Sequence, residues 1–271
     1  MQNNKRGIIP VYEELRYTDG FIFGKVNKNT DVVVETLETI LGKEIDKSDI
    51  YGGTDSEKFV KQTSDSKGIR LDIHLMTEHQ IYNAEMENYS SEKKKEIRKR
   101  TRYYQGLIDM DHLYAGMKYY DLKETYIIFI CTYDVFGKGY FRYQFENRCI
   151  HDHDLTLDDG TVKIFLNSKG YRNAPDDEVS QEIKNYLKYV ETGEAVDELT
   201  RRIDMEVINV QNNKIFKREY MKQMADIMDY EHTIEIKDAE IEDYKAEVAV
   251  QAREIARLKQ LLAESDNSVE E

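Results

Sequence analysis

Tryptophan is absent from this sequence, and proline and cysteine occur only twice each. Two cysteines, Cys131 and Cys149, do not suggest a disulfide framework, and they lack the spacing of a metal-binding pair. A reducing, cytoplasmic setting is therefore expected. So little proline leaves no stretch for a proline-rich linker. Long apolar runs are missing as well. The longest, Tyr126 to Cys131, falls far short of the ~20 residues that a membrane-spanning helix needs. The opening residues, MQNNKRGIIP, hold no apolar segment of the kind that marks a signal peptide, and none is expected. What is present is 40% hydrophobic residues, with tyrosine (20 copies) doing much of the aromatic work. That suffices for the core of one large domain or two small ones.

Positive charge is also in short supply. Against 53 Asp and Glu stand 39 Lys and Arg, a formal net charge of −14, which at first argues against a polyanionic partner. The charge is unevenly spread, however. Residues 231–271 carry twelve acids and five bases, half of the excess. In contrast, Lys93 to Arg102, KKKEIRKRTR, holds seven bases and one acid. The local field decides where a polyanion docks, so this segment is the candidate contact for nucleic-acid phosphates.

The stretch most informative about chemistry is Gly68 to Glu87, GIRLDIHLMTEHQIYNAEME. Period-two alternation puts Ile69, Leu71, Ile73 and Leu75 on one face and Arg70, Asp72 and His74 on the other. Thr77 to Gln80 form a polar turn. The returning run then places Tyr82, Ala84 and Met86 on the apolar face and Asn83, Glu85 and Glu87 opposite. The pattern predicts a β-hairpin whose polar face gathers Asp72, Glu85 and Glu87. Three carboxylates on one face repel unless a positive charge sits among them, and hard divalent cations take carboxylate oxygens. His74 shares that face and reads as a bystander. The run His151-Asp152-His153-Asp154 also has metal-ligand chemistry, but no distant third ligand accompanies it, and it reads as a solvated loop.

Along the chain, GFIFGKV (20–26) is a short apolar segment, and a helix is expected from an N-cap at Thr30 to Leu41, stopped by Gly42. One strand is expected near Ile50. After the hairpin, Ser90 or Ser91 can cap a basic helix that runs to about Met110, with Ile97, Tyr104 and Ile108 buried. ETYIIFICTY (124–133) reads as a central strand covered on both faces. Gly139–Phe145, and Leu155–Leu166 turning at Asp159-Gly160, follow as strands. Asp176–Glu191 reads as an amphipathic helix, and 197–230 as further helix. The expected fold class is α/β, a mixed sheet flanked by helices, with a C-terminal helical region and coiled coil. In the tail Ile234, Ile241, Val248, Ile255 and Leu262 recur every seven residues, with Tyr244 and Leu258 at d positions. Glu240 and Glu254 at g face Lys245 and Lys259 at e of a neighbouring chain, which predicts a parallel homodimer. The expected organisation is a core over 1–170, a helical extension over 171–230, a coiled coil over 231–264 and a disordered tail over 265–271.

Several of these segments, GFIFGKV, RLDIHL, IYNAEME, KRTRYYQGLIDMDHLYAG, TYIIFICTYDVFGKG and KIFLNSKG, together resemble the PD-(D/E)XK nuclease superfamily, and within it the recombination-promoting nuclease and transposase family. The resemblance covers about residues 17 to 221. It implies a restriction-endonuclease-like fold and an Mg²⁺- or Mn²⁺-dependent DNA endonuclease linked to recombination or mobile elements. By the same resemblance Asp72 and Glu85 would be the metal ligands and catalytic carboxylates, and Tyr104 and Gln105 would lie near the phosphate or the catalytic groups. Glu87, from its place on the same face, would act as a base or an additional ligand, and the basic run's Arg98, Lys99, Arg100 and Arg102 would attract the DNA backbone. Two positions depart from the family. Glu87 stands where the family has Gln and the wider superfamily Lys, and Gly20 stands where the family has Asp, with Asp19 just before it as a stand-in. These departures raise the alternative of a nuclease-like DNA-binding or oligomerisation module that no longer cuts.

Overall fold

A computed structural model describes residues 10–51, 58–61, 67–88, 94–173 and 180–267. The chain forms two compact units, one spanning Pro10–Lys214 and the other containing residues from Ile215 onward. The first is a mixed α/β unit. Its helix α1 (Gly20–Val26) is the segment GFIFGKV, capped by Asp19, whose carboxylate accepts a hydrogen bond from the Phe21 amide at 2.9 Å. Next comes α2 (Thr30–Leu41), where the Asn29 side chain accepts from Asp31 and Val32, so the cap lies one residue before Thr30. Gly42 ends α2 at φ 67°, a left-handed conformation that glycine adopts without a Cβ clash. Ile50 belongs to no strand. The first strand is β1 (Lys58–Val60), paired antiparallel with β2 (Ile69–Leu71) in a small two-stranded sheet.

Asp72 interrupts the alternation that predicts one continuous strand. It forms a bend between β2 and β3 (Ile73–Met76), and β3 pairs instead with β4 (Gln80–Glu87) in the main sheet. The bend separates the four apolar residues that period two placed together. Ile73 and Leu75 lie opposite Ala84 and Tyr82 across the β3–β4 ladder. Ile69 and Leu71 join a different cluster, with Ile97, Tyr104, Leu107, Ile108 and Phe129. The physical reason is hydrogen bonding. The Asp72 amide donates to the Glu85 carboxylate at 3.1 Å, and aspartate favours such local bonds over an extended ladder.

Helix α3 (Lys94–His112) crosses from β4 to β5 (Glu124–Cys131); its expected serine caps lie outside the described residues. The strand order is β3-β4-β5-β7-β6, where β6 is Arg142–Phe145 and β7 is Thr161–Asn167. β4, β5 and β7 run parallel, and β3 and β6 are antiparallel edges. β5 is central and buried from Thr125 to Cys131, as a run apolar on both faces requires. Leu155 to Leu157 contribute only an isolated bridge at Thr156, and Asp158 and Gly160, at φ 55° and 70°, turn the chain into β7.

The parallel register sorts the side chains. Asn83, Glu85 and Glu87 share a face with Ile127, Phe129 and Cys131, and α3 contacts this side at β5. Tyr82, Ala84 and Met86 share the other face with Tyr126, Ile128 and Ile130. Helix α4 (Gln181–Thr192) ends at Gly193 and, with α5 (Glu198–Asn212), belongs to the same unit as the sheet. The core therefore extends well past residue 170, the expected boundary; the start expected for α4 at Asp176 falls outside the described residues. The described residues of the second unit belong to one long helix, α6 (Lys214–Asn267). It is continuous through residue 230, where a boundary between extension and coiled coil is expected, and through residues 265–267. No described helix is long and apolar enough to cross a membrane.

Candidate functional site

The bend at Asp72 brings two carboxylates together on the α3 side of the sheet. Asp72 Oδ2 accepts a hydrogen bond from the Met86 amide at 3.2 Å, while the Asp72 amide donates to Glu85 Oε1 at 3.1 Å. Asp72 is thus held by β4, and Glu85 by the bend. Asn83 Nδ2 also donates to Glu85 Oε1, at 3.4 Å. Glu85 is buried, and burial raises its pKa well above the usual carboxylate range, with the Asp72 charge adding to the rise. A buried acid beside a second acid needs a cation or a proton.

A cation comes from α3. Arg100 forms an ion pair with Glu87 and lies 3.7 Å from Glu85, and its guanidinium donates to the Tyr104 hydroxyl at 2.9 Å. It lies over the rings of Phe129 and Tyr104, at 5.1 and 5.4 Å from their centres. Burial and the Glu85 charge push the Tyr104 hydroxyl up to about 12. Arg100 and Tyr104 are one turn apart and face the sheet together, so the expected backbone-attracting role of Arg100 gives way to an internal one. Its position beside the buried stripe Ile97–Thr101–Tyr104 is the sequence signal that could have revealed this.

The other predicted positions separate. Arg98 donates to the Val135 carbonyl at 2.8 Å and lies over the Phe136 ring. Lys99 and Arg102 are exposed. Gln105 donates to Asp109 at 2.8 Å, and its own buried oxygen accepts no hydrogen bond among the described residues. Asp19 is occupied in capping α1, and burial raises its pKa. The His151–Asp154 loop is exposed, in keeping with a solvated reading. Among the described residues no group of three or more His, Cys, Asp or Glu is arranged to hold a metal by itself. The donor set at Asp72 and Glu85 is two hard oxygens, with the buried Asn83 Oδ1, unpartnered among the described residues, on the same strand. That chemistry suits Mg²⁺ or Mn²⁺, which keep several waters and need only one or two carboxylates.

His74 lies on the same sheet face as Asn83 but belongs to a separate cluster. Its Nε2 is 3.3 Å from Lys58 Nζ and its ring is 5.6 Å from that of His112, while Lys58 pairs with Asp111 at 2.9 Å. Burial, helped by the charges of Lys58 and His112, pushes its pKa down to about 3. The unfolded chain, with an ordinary histidine pKa of about 6.5, therefore binds one more proton there between those values. Stability from this group is present above about pH 6.5 and is lost as pH falls, by at most about 1.4 kcal/mol per pH unit. Urea unfolding of His74→Gln should show a shallower loss between pH 6 and about 4 than the wild type. Equal slopes would mean that His74 protonates in the folded state as it does in the unfolded chain.

Comparisons with protein-family models, with curated proteins and with solved structures returned no match.

Proposed function

We propose that this protein is a metal-dependent DNA endonuclease with a restriction-endonuclease-like core, hydrolysing phosphodiester bonds at Asp72 and Glu85. The observation that carries this reading is the pair of hydrogen bonds that tie the bend at Asp72 to β4, Asp72 amide to Glu85 carboxylate and Met86 amide to Asp72 carboxylate, which puts two acids side by side near a basic helix. The resemblance in sequence supports it independently. Asp72 and Glu85 would hold Mg²⁺ or Mn²⁺. When bound, that ion would activate water and neutralise charge building on the scissile phosphate. Glu87 orients Arg100, and Arg100 limits repulsion among the acids. Tyr104 holds the guanidinium from its other side. The test is nicking of supercoiled plasmid by purified protein with Mg²⁺ or Mn²⁺. Cleavage that EDTA stops is expected; no cleavage with either ion would refute the enzyme.

One observation favours a second reading. Arg100 already supplies Glu85 and Glu87 with positive charge, as a site that no longer cuts would require. The chain would then be a DNA-binding or oligomerisation module, and Glu87→Gln discriminates. A strong gain of cleavage marks a site disabled by Glu87, and a loss shows Glu87 at work.

The same proposal includes a homodimer through α6. Ile241, Val248 and Ile255 are exposed at a positions of the heptad, and Glu240 and Glu254 match Lys245 and Lys259 of a second copy. Sedimentation should give twice the chain mass of 32.0 kDa, and Ile241→Asp with Ile255→Asp should halve it. A wild type that sediments as a single chain would remove the dimer.

A further inference from the structure

Beside the two acids runs a recess of about 480 Å³ between β2 and the first half of α3. Lys67 and Arg70 line it from the β2 side, and Lys99, Arg100, Tyr103 and Tyr104 from the helix. Glu96 is the one acid among its lining residues, so positive charge dominates in a chain that is acidic overall. Its inner end is formed by Arg100 and Tyr104, the side chains that contact Glu85 and each other. Arg100 and Tyr104 thus stand between the recess and the proposed catalytic carboxylates. Tyr103 sets the character of the outer part. Its hydroxyl donates to the Lys67 carbonyl at 2.5 Å, tying α3 to the chain entering β2, yet 39% of its surface stays exposed. An exposed ring fixed at its far end is a preformed stacking platform that loses little freedom on binding.

We infer that this recess binds an unpaired DNA strand, with Lys67 and Lys99 contacting phosphates and Tyr103 stacking on a base next to the scissile bond. The inference rests on the nuclease reading for what happens at the inner end, but not for binding itself. A concave basic recess between a helix and a strand admits a single strand, whose bases are free to splay. A duplex presents its phosphates on a convex exterior and keeps its bases stacked inside. Base stacking on an aromatic platform flanked by lysines is tolerant of sequence, so the predicted ligand is defined by strandedness and not by base identity.

The experiment is fluorescence anisotropy of labelled oligothymidylate and of a labelled hairpin duplex of equal length, with full-length protein and EDTA present. Wild type should bind the oligothymidylate at least about tenfold more tightly than the duplex. Lys67→Glu with Lys99→Glu, both at exposed positions, should weaken strand binding about tenfold or more and flatten the salt dependence by roughly 1.4 in log–log slope, about 0.7 per lost phosphate contact. Tyr103→Ala should cost about fivefold or more, whereas Tyr103→Phe, which keeps the ring, should cost much less. Wild-type affinity and salt slope in the lysine variant, or a preference for duplex, would overturn the inference. Strand binding with no cleavage under any metal would leave the recess standing and sink the nuclease reading alone.

Discussion

Asp72→Asn should lower Mg²⁺-dependent DNA cleavage about a thousandfold or more while leaving the fold and strand binding unchanged. The substitution is nearly isosteric. Asparagine retains an oxygen that can accept from the Met86 amide, now at 3.2 Å, and the amide at position 72 can still donate to Glu85. What disappears is the negative charge, and with it the hard anionic oxygen that a divalent cation requires. Glu85→Gln should be as severe for the same reason. The raised pKa of Glu85 adds a pH signature. Metal uptake must displace a proton from its carboxyl, so metal affinity should rise with pH through the Glu85 titration. In Asp72→Asn burial still raises this pKa but the neighbouring charge that adds to the rise is gone, and the titration should move down. Calorimetric titration of the wild type with Mn²⁺ at several pH values checks the first statement, and carboxyl NMR titration of Glu85 in Asp72→Asn without metal checks the second. An Asp72→Asn protein that still nicks plasmid at the wild-type rate would place the chemistry elsewhere.

Arg100→Met should destabilise the fold by about 3–5 kcal/mol near neutral pH, the usual consequence of removing one partner from a buried ion pair. Glu85 and Glu87 keep side-chain exposures of only 5% and 7%, so neither can recover its lost partner from solvent. Burial already raises the Glu85 pKa and the Arg100 charge opposes that rise, so in the variant the folded Glu85 pKa lies still further above its unfolded value. The part of the penalty that comes from Glu85 is then largest at high pH and shrinks as pH falls and Glu85 protonates. Adding Glu87→Gln to Arg100→Met should restore much of the loss, because it removes the acid most dependent on the guanidinium. Urea midpoints of the two single variants and the double variant at pH 5 and 8 provide the measurement. If Arg100→Met were as stable as wild type and lost only DNA affinity, Arg100 would face the nucleic acid and not the sheet.

Much of the architecture was legible from residue order. The buried run 125–131 had to be a central strand, since residues apolar on both faces need cover on both sides. Gly42 and Gly193 marked the ends of α2 and α4, and the stripe Ile97–Tyr104–Ile108 oriented α3. GFIFGKV was harder. A seven-residue apolar segment does not distinguish helix from strand by periodicity, and the Asp19 cap decided it. Heptad spacing made α6 readable as a helix, but it said nothing about where α6 begins.

Sequence alone determined that Asn83, Glu85 and Glu87 face one way, because alternation along a strand is enforced by the backbone itself. It also determined that a basic helix follows them. Only the tertiary structure decided that the strand bends at Asp72, sending Ile69 and Leu71 to a different cluster from Ile73 and Leu75. It decided too that Arg100 turns inward to Glu87, and that Lys67 and Tyr103 meet across a recess. Those outcomes depend on which side chain finds a partner across space, and such pairings are set by packing between elements far apart in the chain.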